Sequence, residues 1–183
     1  MKASFVISPR GLLLSDIKKI ISEKLNIKLS EESIIRIKKN RDFLNNKLSD
    51  KNQIYYGINT GFGSLCNELI SNSDLKKLQV NLVKSHACGA GKEIDLSIVK
   101  LMLLLKVNAL SMGFSGVKLN TVKKLIFLFN NDILPVVYES GSLGASGDLA
   151  PLAHLCLPLI GEGMVNFKNK KVSAKEIFNS FSE

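Results

Sequence analysis

Apolar residues recur along the chain at helical spacing and divide it into elements. Ile17, Ile20, Ile21 and Leu25 share one face of a helix that Ser15 is placed to cap. Ile34, Ile37, Leu44 and Leu48 repeat in a longer helix opened by Ser30 and closed around Asn45-Asn46 and residues 49–52. Leu75, Leu78, Leu82 and His86 stand three, four and four apart in a third helix, which starts at Ser73 and stops at Gly89. From Asp95 or Ser97 to about Met112 nearly every side is apolar, as in a helix inside a bundle or at a subunit interface. Val122, Leu125, Ile126 and Phe129 turn inward from a helix capped by Asn120. Residues 149–160 read as one more helix. Pro151 lies in its first turn, where a missing N–H costs little, and Pro158 ends or kinks it.

Strand signals are fewer. Residues 3–7 predict a short strand before the turn Ser8-Pro9-Arg10-Gly11, and residues 133–138 are apolar and extended in character. Residues 164–167 and 171–172 predict a small hairpin around Lys168-Asn169-Lys170, and Ser173-Ala174-Lys175-Glu176 is a capping box opening a last short helix. The pattern predicts a mainly α fold with minor β. It divides into a mostly helical region over residues 1–112 and a segment over 113–183, or forms one compact domain.

Two glycine-rich stretches interrupt this pattern. In Ile54-Tyr55-Tyr56-Gly57-Ile58-Asn59-Thr60-Gly61-Phe62-Gly63-Ser64-Leu65, three glycines within seven residues forbid a stable helix and predict a shaped loop. In residues 141–151, glycines at a spacing of three lead onto the 149–160 helix, with Asp148 a plausible N-cap. Such a turn can serve close packing, or it can cradle an anion where orphan N–H groups meet the positive end of the helix dipole. The familiar phosphate patterns do not fit, because no Gly-Lys-Ser/Thr ending follows and the spacing is not G-x-G-x-x-G. Asp148 also stands where a nucleophile elbow needs its last glycine.

Composition narrows the class. With 183 residues, 45% hydrophobic and 22% charged, the chain can bury a real core. The net charge of +9 raises nucleic-acid binding. The lysines, however, are spread along predicted helix faces and no aromatic residues interleave with them, which argues against that partner. Three widely spaced cysteines, no C-x-x-C pair and two histidines argue against a metal site and for reduced thiols in the cytoplasm. The N-terminus has no signal-peptide core, and the apolar run at 101–105 is too short to span a bilayer, so no membrane partner is expected.

Gly141-Ser142-Leu143-Gly144-Ala145-Ser146-Gly147-Asp148-Leu149-Ala150-Pro151-Leu152-Ala153-His154 closely resembles the signature of the aromatic amino-acid ammonia-lyases. The resemblance implies a prosthetic group, methylidene-imidazolone (MIO), made from Ala145, Ser146 and Gly147 by cyclisation and loss of two waters, with no external cofactor and no metal. The Gly147 nitrogen would attack the Ala145 carbonyl, so a side chain at Gly147 would hinder the approach. Loss of the Ser146 hydroxyl would leave an electrophilic carbon, which ordinary side chains lack. Tyr56 to Gly63 resembles a second signature of the family, in which Tyr56 matches a catalytic tyrosine. To act as a base near neutral pH it needs a pKa brought down from about 10.

Asn81-Leu82-Val83-Lys84-Ser85-His86-Ala87-Cys88-Gly89-Ala90-Gly91 resembles a third signature. Its Ser85-His86 pair is similar to the histidine branch, whereas phenylalanine and tyrosine lyases tend to carry Phe-Leu or His-Leu there. His86 is then a hydrogen-bond partner for the substrate imidazole. Asn59, Gly61, Ser85 and Asp148 are supporting positions, and His154 is structural or supporting.

The implied fold is the N-terminal part of an ammonia-lyase-type helical architecture, with residues 113–183 holding the MIO loop and the start of a central bundle. The implied reaction is non-oxidative elimination of ammonia from L-histidine to give trans-urocanate, in a cytoplasmic homotetramer. Because the resemblance covers about the first third of the family's length, the chain is expected to be an N-terminal fragment, inactive alone and with the ring uncyclised or partial. A tyrosine or phenylalanine ammonia-lyase, an aminomutase, and a non-catalytic anion-binding helical domain are the alternatives. Two departures from the pattern are mild: Glu139-Ser140 before the glycine turn, and Cys88 where a small residue is usual.

Overall fold

A computed structural model describes residues 3–50, 53–71, 73–142, 147 and 149–180. The fold is mainly helical with short strands, as the pattern predicts. It forms two compact units, between which the chain alternates. One comprises Met1–Lys47, Asp95–Leu134 and Val165–Lys171; the other comprises Leu48–Ile94, Pro135–Met164 and Val172–Glu183. Among the described residues no helix is long and apolar enough to cross a membrane.

The first unit opens with a parallel strand pair joined by a helix. Strand β1 (Ser4–Ile7) pairs with β2 (Asn26–Leu29) from Ser4 opposite Asn26 to Ile7 opposite Leu29, and α1 (Leu14–Ser22) connects them. No strand is predicted at β2, because four residues are too few to establish a period. The strand forms because β1 offers an edge and because Asn130 grips its backbone. The Asn130 Oδ1 accepts from the Ile27 N–H at 2.8 Å and its Nδ2 donates to the Ile27 carbonyl at 3.0 Å.

Helix α1 starts earlier than predicted. Leu13 is its N-cap and the Asp16 carboxylate accepts the Leu13 N–H at 3.0 Å, while Ser15 lies inside the first turn. The acidic residue three positions along reaches back to the free N–H, and this half of a capping box decides the start. Ser30 does cap α2 (Glu31–Lys47), its Oγ accepting from the Ser33 N–H at 3.1 Å. Asp95 caps α4 (Leu96–Ser111), its side chain accepting from the Ser97 N–H at 2.8 Å. Helix α5 (Leu119–Asn130) begins at Lys118 rather than at Asn120, which lies within the first turn.

Helices α4 and α5 form the centre of this unit. Val99, Leu103, Leu104 and Val107 of α4 and Val122, Leu125, Leu128 and Phe129 of α5 are all essentially inaccessible to solvent. Burial of each such side chain contributes about 1.5–3 kcal/mol relative to exposure. The predicted hairpin is present as β6 (Met164–Phe167) and β7 (Lys170–Ser173), and Lys168 and Asn169 both take positive φ in the two-residue turn.

In the second unit α3 (Leu75–His86) packs on α6 (Leu149–Cys156). The N-cap of α3 is Asp74, not Ser73; the Ser71 hydroxyl donates to the Asp74 carboxylate at 2.7 Å and draws it toward the turn. After Pro158 enters, α6 tightens into a 3₁₀ turn (Leu157–Ile160) and stops at left-handed Gly161. The extended run at 133–138 is buried up to Val137 and yields β4 (Leu134–Pro135), then β5 (Tyr138–Ser140). Strand β3 (Ala90–Glu93) pairs antiparallel with β5, Ala90 opposite Ser140 and Glu93 opposite Tyr138, with an irregularity between. Its glycine and charged residues hide it from pattern reading. The capping-box helix is α7 (Ala174–Ser180).

Candidate active site

The glycine loop carrying Tyr56 is built on Asn59, which is 5% exposed. Its Oδ1 accepts the Tyr55 N–H at 2.7 Å, its Nδ2 donates to the Gln53 carbonyl at 2.8 Å, and its own carbonyl accepts the Ile70 N–H at 2.8 Å. Thr60, fully buried, accepts from the Gly57 N–H at 3.2 Å and donates to the Gly61 carbonyl at 3.0 Å. Asn59 and Gly61 were singled out by sequence; Thr60 was not, although a β-branched hydroxyl between them suits an internal tie. Gln79 of α3 was also missed. Its Nε2 donates to the Gly57 and Ile58 carbonyls at 3.3 and 3.2 Å and holds the loop to the helix.

This frame presents Tyr56 outward, 61% exposed, with its hydroxyl accepting a long hydrogen bond from the Gly63 N–H at 3.4 Å. Phe62 joins Tyr56 to His86. Its ring lies edge-on to both, with centroids 5.4 Å apart in each case. Sequence reading passed over Phe62 as an ordinary member of the loop motif.

His86 is the last residue of α3, and its Nδ1 lies 2.7 Å from the Leu82 carbonyl. A carbonyl can only accept, so Nδ1 carries the hydrogen, and in the neutral tautomer Nε2 is then the acceptor. The Ser85 hydroxyl donates to the same carbonyl at 3.1 Å and lies 3.3 Å from the ring nitrogen.

Ser85 and His86 border a cleft of about 190 Å³, together with Cys88, Gly141, Ser142 and Gly147. The first residues of α6 close it. The Ser142 hydroxyl accepts the Ala150 N–H at 3.1 Å, and the Gly147 carbonyl accepts the Leu149 N–H at 3.0 Å. Ser142, unmarked by sequence, therefore satisfies one of the helix's free donors. The Cys88 thiol donates to the Gly141 carbonyl at 3.6 Å.

Behind the cleft two backbones touch. Gly141, at φ 138°, sits so close to Gly89 that a Cβ on it would lie 2.8 Å from the Gly89 Cα. The Gly89 N–H in turn donates to His154 Nε2 at 2.9 Å.

Of the three residues read as forming MIO, Gly147 is described, and Ala145 and Ser146 lie outside the described residues, as does Asp148. Gly147 takes φ 74°, and among the described residues no atom lies within 4 Å of where a Cβ would be. Tyr56, His86 and Gly147 all belong to the second unit.

The family model described as "Aromatic amino acid lyase" matches residues 12–182. The histidine ammonia-lyase of Legionella pneumophila (strain Paris) is 48% identical over 176 residues, which cover 96% of this chain and 35% of that protein. The crystal structure of histidine ammonia-lyase from Trypanosoma cruzi superposes with a TM-score of 0.85 at 33% identity, covering 98% of this chain and 35% of that one. The phenylalanine aminomutase of Pantoea agglomerans superposes with a TM-score of 0.88 at 28% identity, with 98% and 34% covered. The chain thus spans about a third of the length of the proteins it matches.

Proposed function

The chain belongs to the aromatic amino acid lyase family, and from that premise we propose that the whole protein eliminates ammonia from L-histidine, without oxidation, to give trans-urocanate. The observation that carries the choice of substrate is His86 on the cleft wall with its Nδ1 occupied by Leu82. A neutral His86 offers Nε2 as an acceptor, and an imidazole ring can answer it with its own N–H. A phenyl ring cannot, and a site built to hydrogen-bond a substrate group discriminates strongly against analogues that lack it. The relatives named histidine ammonia-lyase support the same reading.

In this reading MIO, formed from Ala145, Ser146 and Gly147, supplies a carbon electrophile. Tyr56 takes up a proton from the substrate, Asn59 and Gly61 hold its loop, and Ser85 steadies the His86 ring. The active protein is a cytoplasmic homotetramer.

The test is ultraviolet absorbance of the full-length protein incubated separately with L-histidine, L-tyrosine and L-phenylalanine. A urocanate band with histidine alone is expected. A coumarate or cinnamate band would keep the family chemistry and discard histidine as substrate. Silence on all three from a folded tetramer would turn the reading toward an aminomutase or a non-catalytic domain.

A further inference from the structure

We propose that His154 is a positioning residue that sets the spacing between the His86 end of α3 and the turn leading into the Ala145-Ser146-Gly147 triplet; as a role in the reaction, this rests on the lyase reading above. Three segments meet at its ring. His154 comes from α6, the helix that follows the triplet. Its Nε2 accepts the N–H of Gly89, three residues beyond His86, at 2.9 Å. Tyr138 of β5, the strand that leads into the Gly141 turn, stacks edge-on against it with centroids 5.1 Å apart. His154 is 8% exposed.

The junction has no slack. A Cβ on Gly89 would lie 2.8 Å from His154 Nε2 and 3.1 Å from the Tyr138 Cβ, and one on Gly141 would lie 2.8 Å from the Gly89 Cα. A shift of the His154 ring therefore moves Gly89, and a shift of Gly89 moves Gly141. Gly89 follows His86 by three residues, and Gly141 precedes Ala145 by four, so along the chain the stack ties the segment after His86 to the segment before the triplet.

The arrangement also selects the imidazole state. A backbone N–H needs an acceptor, so Nε2 must be bare and the ring neutral. Burial lowers the His154 pKa below its ordinary value and favours that form. Phenylalanine at this position would keep the ring against Tyr138 but leave the Gly89 N–H without a partner. Glutamine would place an amide oxygen near the site of Nε2 and keep the acceptor.

The experiment uses the full-length protein with His154→Phe, His154→Gln and Gly89→Ala. Three readings are taken: hydrogen exchange of the peptide spanning residues 85–94, intact mass to count the waters lost at the triplet, and kcat and KM for L-histidine. The expected result for His154→Phe and Gly89→Ala is faster exchange in that peptide, a smaller fraction of chains lacking two waters, and a KM raised by roughly tenfold. His154→Gln should restore all three toward the parent protein. Unchanged exchange and full water loss in His154→Phe would overturn the inference, as would loss in His154→Gln equal to that in His154→Phe. If His154→Phe does not fold, Gly89→Ala and His154→Gln decide between these outcomes. Exchange and mass are read without turnover. If the parent protein fails to act on histidine while these two readings behave as expected, the substrate assignment falls and the positioning role stands.

Discussion

The rings of Phe62 and His86 meet edge-on, with their centroids 5.4 Å apart. Phe62 is 40% exposed, so it is not there to fill the core. Its ring also meets Tyr56 edge-on, so it touches both residues expected to act on substrate. Aromatic pairs of this kind contribute about 0.5–1.5 kcal/mol each. Phe62→Ala in the full-length protein should raise KM for L-histidine by about tenfold, more than the accompanying fall of a few degrees in melting temperature accounts for. Steady-state kinetics beside a thermal melt separate this from simple destabilisation.

His86→Phe keeps an aromatic ring at the end of α3 but removes both nitrogens. The Leu82 carbonyl loses its Nδ1–H donor, and the cleft loses the Nε2 acceptor. The expected result is a fall in kcat/KM for L-histidine of about a hundredfold, more than one lost packing contact explains. Parallel assays with L-phenylalanine should show the ratio between the two substrates shifting toward phenylalanine. A ratio that does not move would place histidine recognition elsewhere.

What the sequence reveals of this molecule divides along physical lines. Helix α5 was legible from its apolar stripe at period 3.6, and α4 from an apolar run long enough for a helix and apolar on nearly every side. Helix starts were less so. Ser30 and Asp95 act as caps, but at α1 the decision is made by Asp16 reaching back, which a search for a serine cannot see. Strands β2 and β3 were invisible, since each exists through a partner distant in sequence. Tyr56 and His86 were legible from motif resemblance. Phe62 was not, because its contact with His86 joins two separate elements, and Thr60 and Ser142 were not, because their hydrogen bonds to Gly61 and Ala150 depend on the shapes of their turns, which spacing does not encode.

Asn130 offers a test of one such distant contact. It holds both backbone groups of Ile27, a residue whose own side chain is 2% exposed. Asn130→Ala leaves an N–H and a carbonyl in a half-buried place without these partners, at a cost of about 1–3 kcal/mol. The melting temperature should fall by several degrees with kcat for L-histidine unchanged. A stability equal to that of the parent would mean that water replaces the side chain freely.

Ser146→Ala removes the hydroxyl whose loss is needed to form the electrophile, and alanine fits wherever serine does. Full-length protein carrying it should show no loss of two waters by intact mass and should lose nearly all histidine turnover. A variant that keeps its activity would argue for the non-catalytic reading of the glycine turn.

His154 predicts a pH dependence of stability whose sign can be worked out. Burial lowers its pKa in the folded state below the ordinary 6.5. Above about 6.5 the group is neutral whether folded or unfolded, and it contributes no slope. As pH falls below that value, the unfolded chain takes up a proton that the folded chain resists, so stability declines until the folded pKa is passed. Protonation of the folded ring removes the acceptor of the Gly89 N–H, so the same descent loosens the back of the cleft. Melting temperatures from pH 7.5 to 5 should therefore drop more steeply for the parent protein than for His154→Gln, whose side chain does not titrate. Parallel curves would mean that other groups govern the acid limb and that His154 is neutral for reasons without consequence to stability.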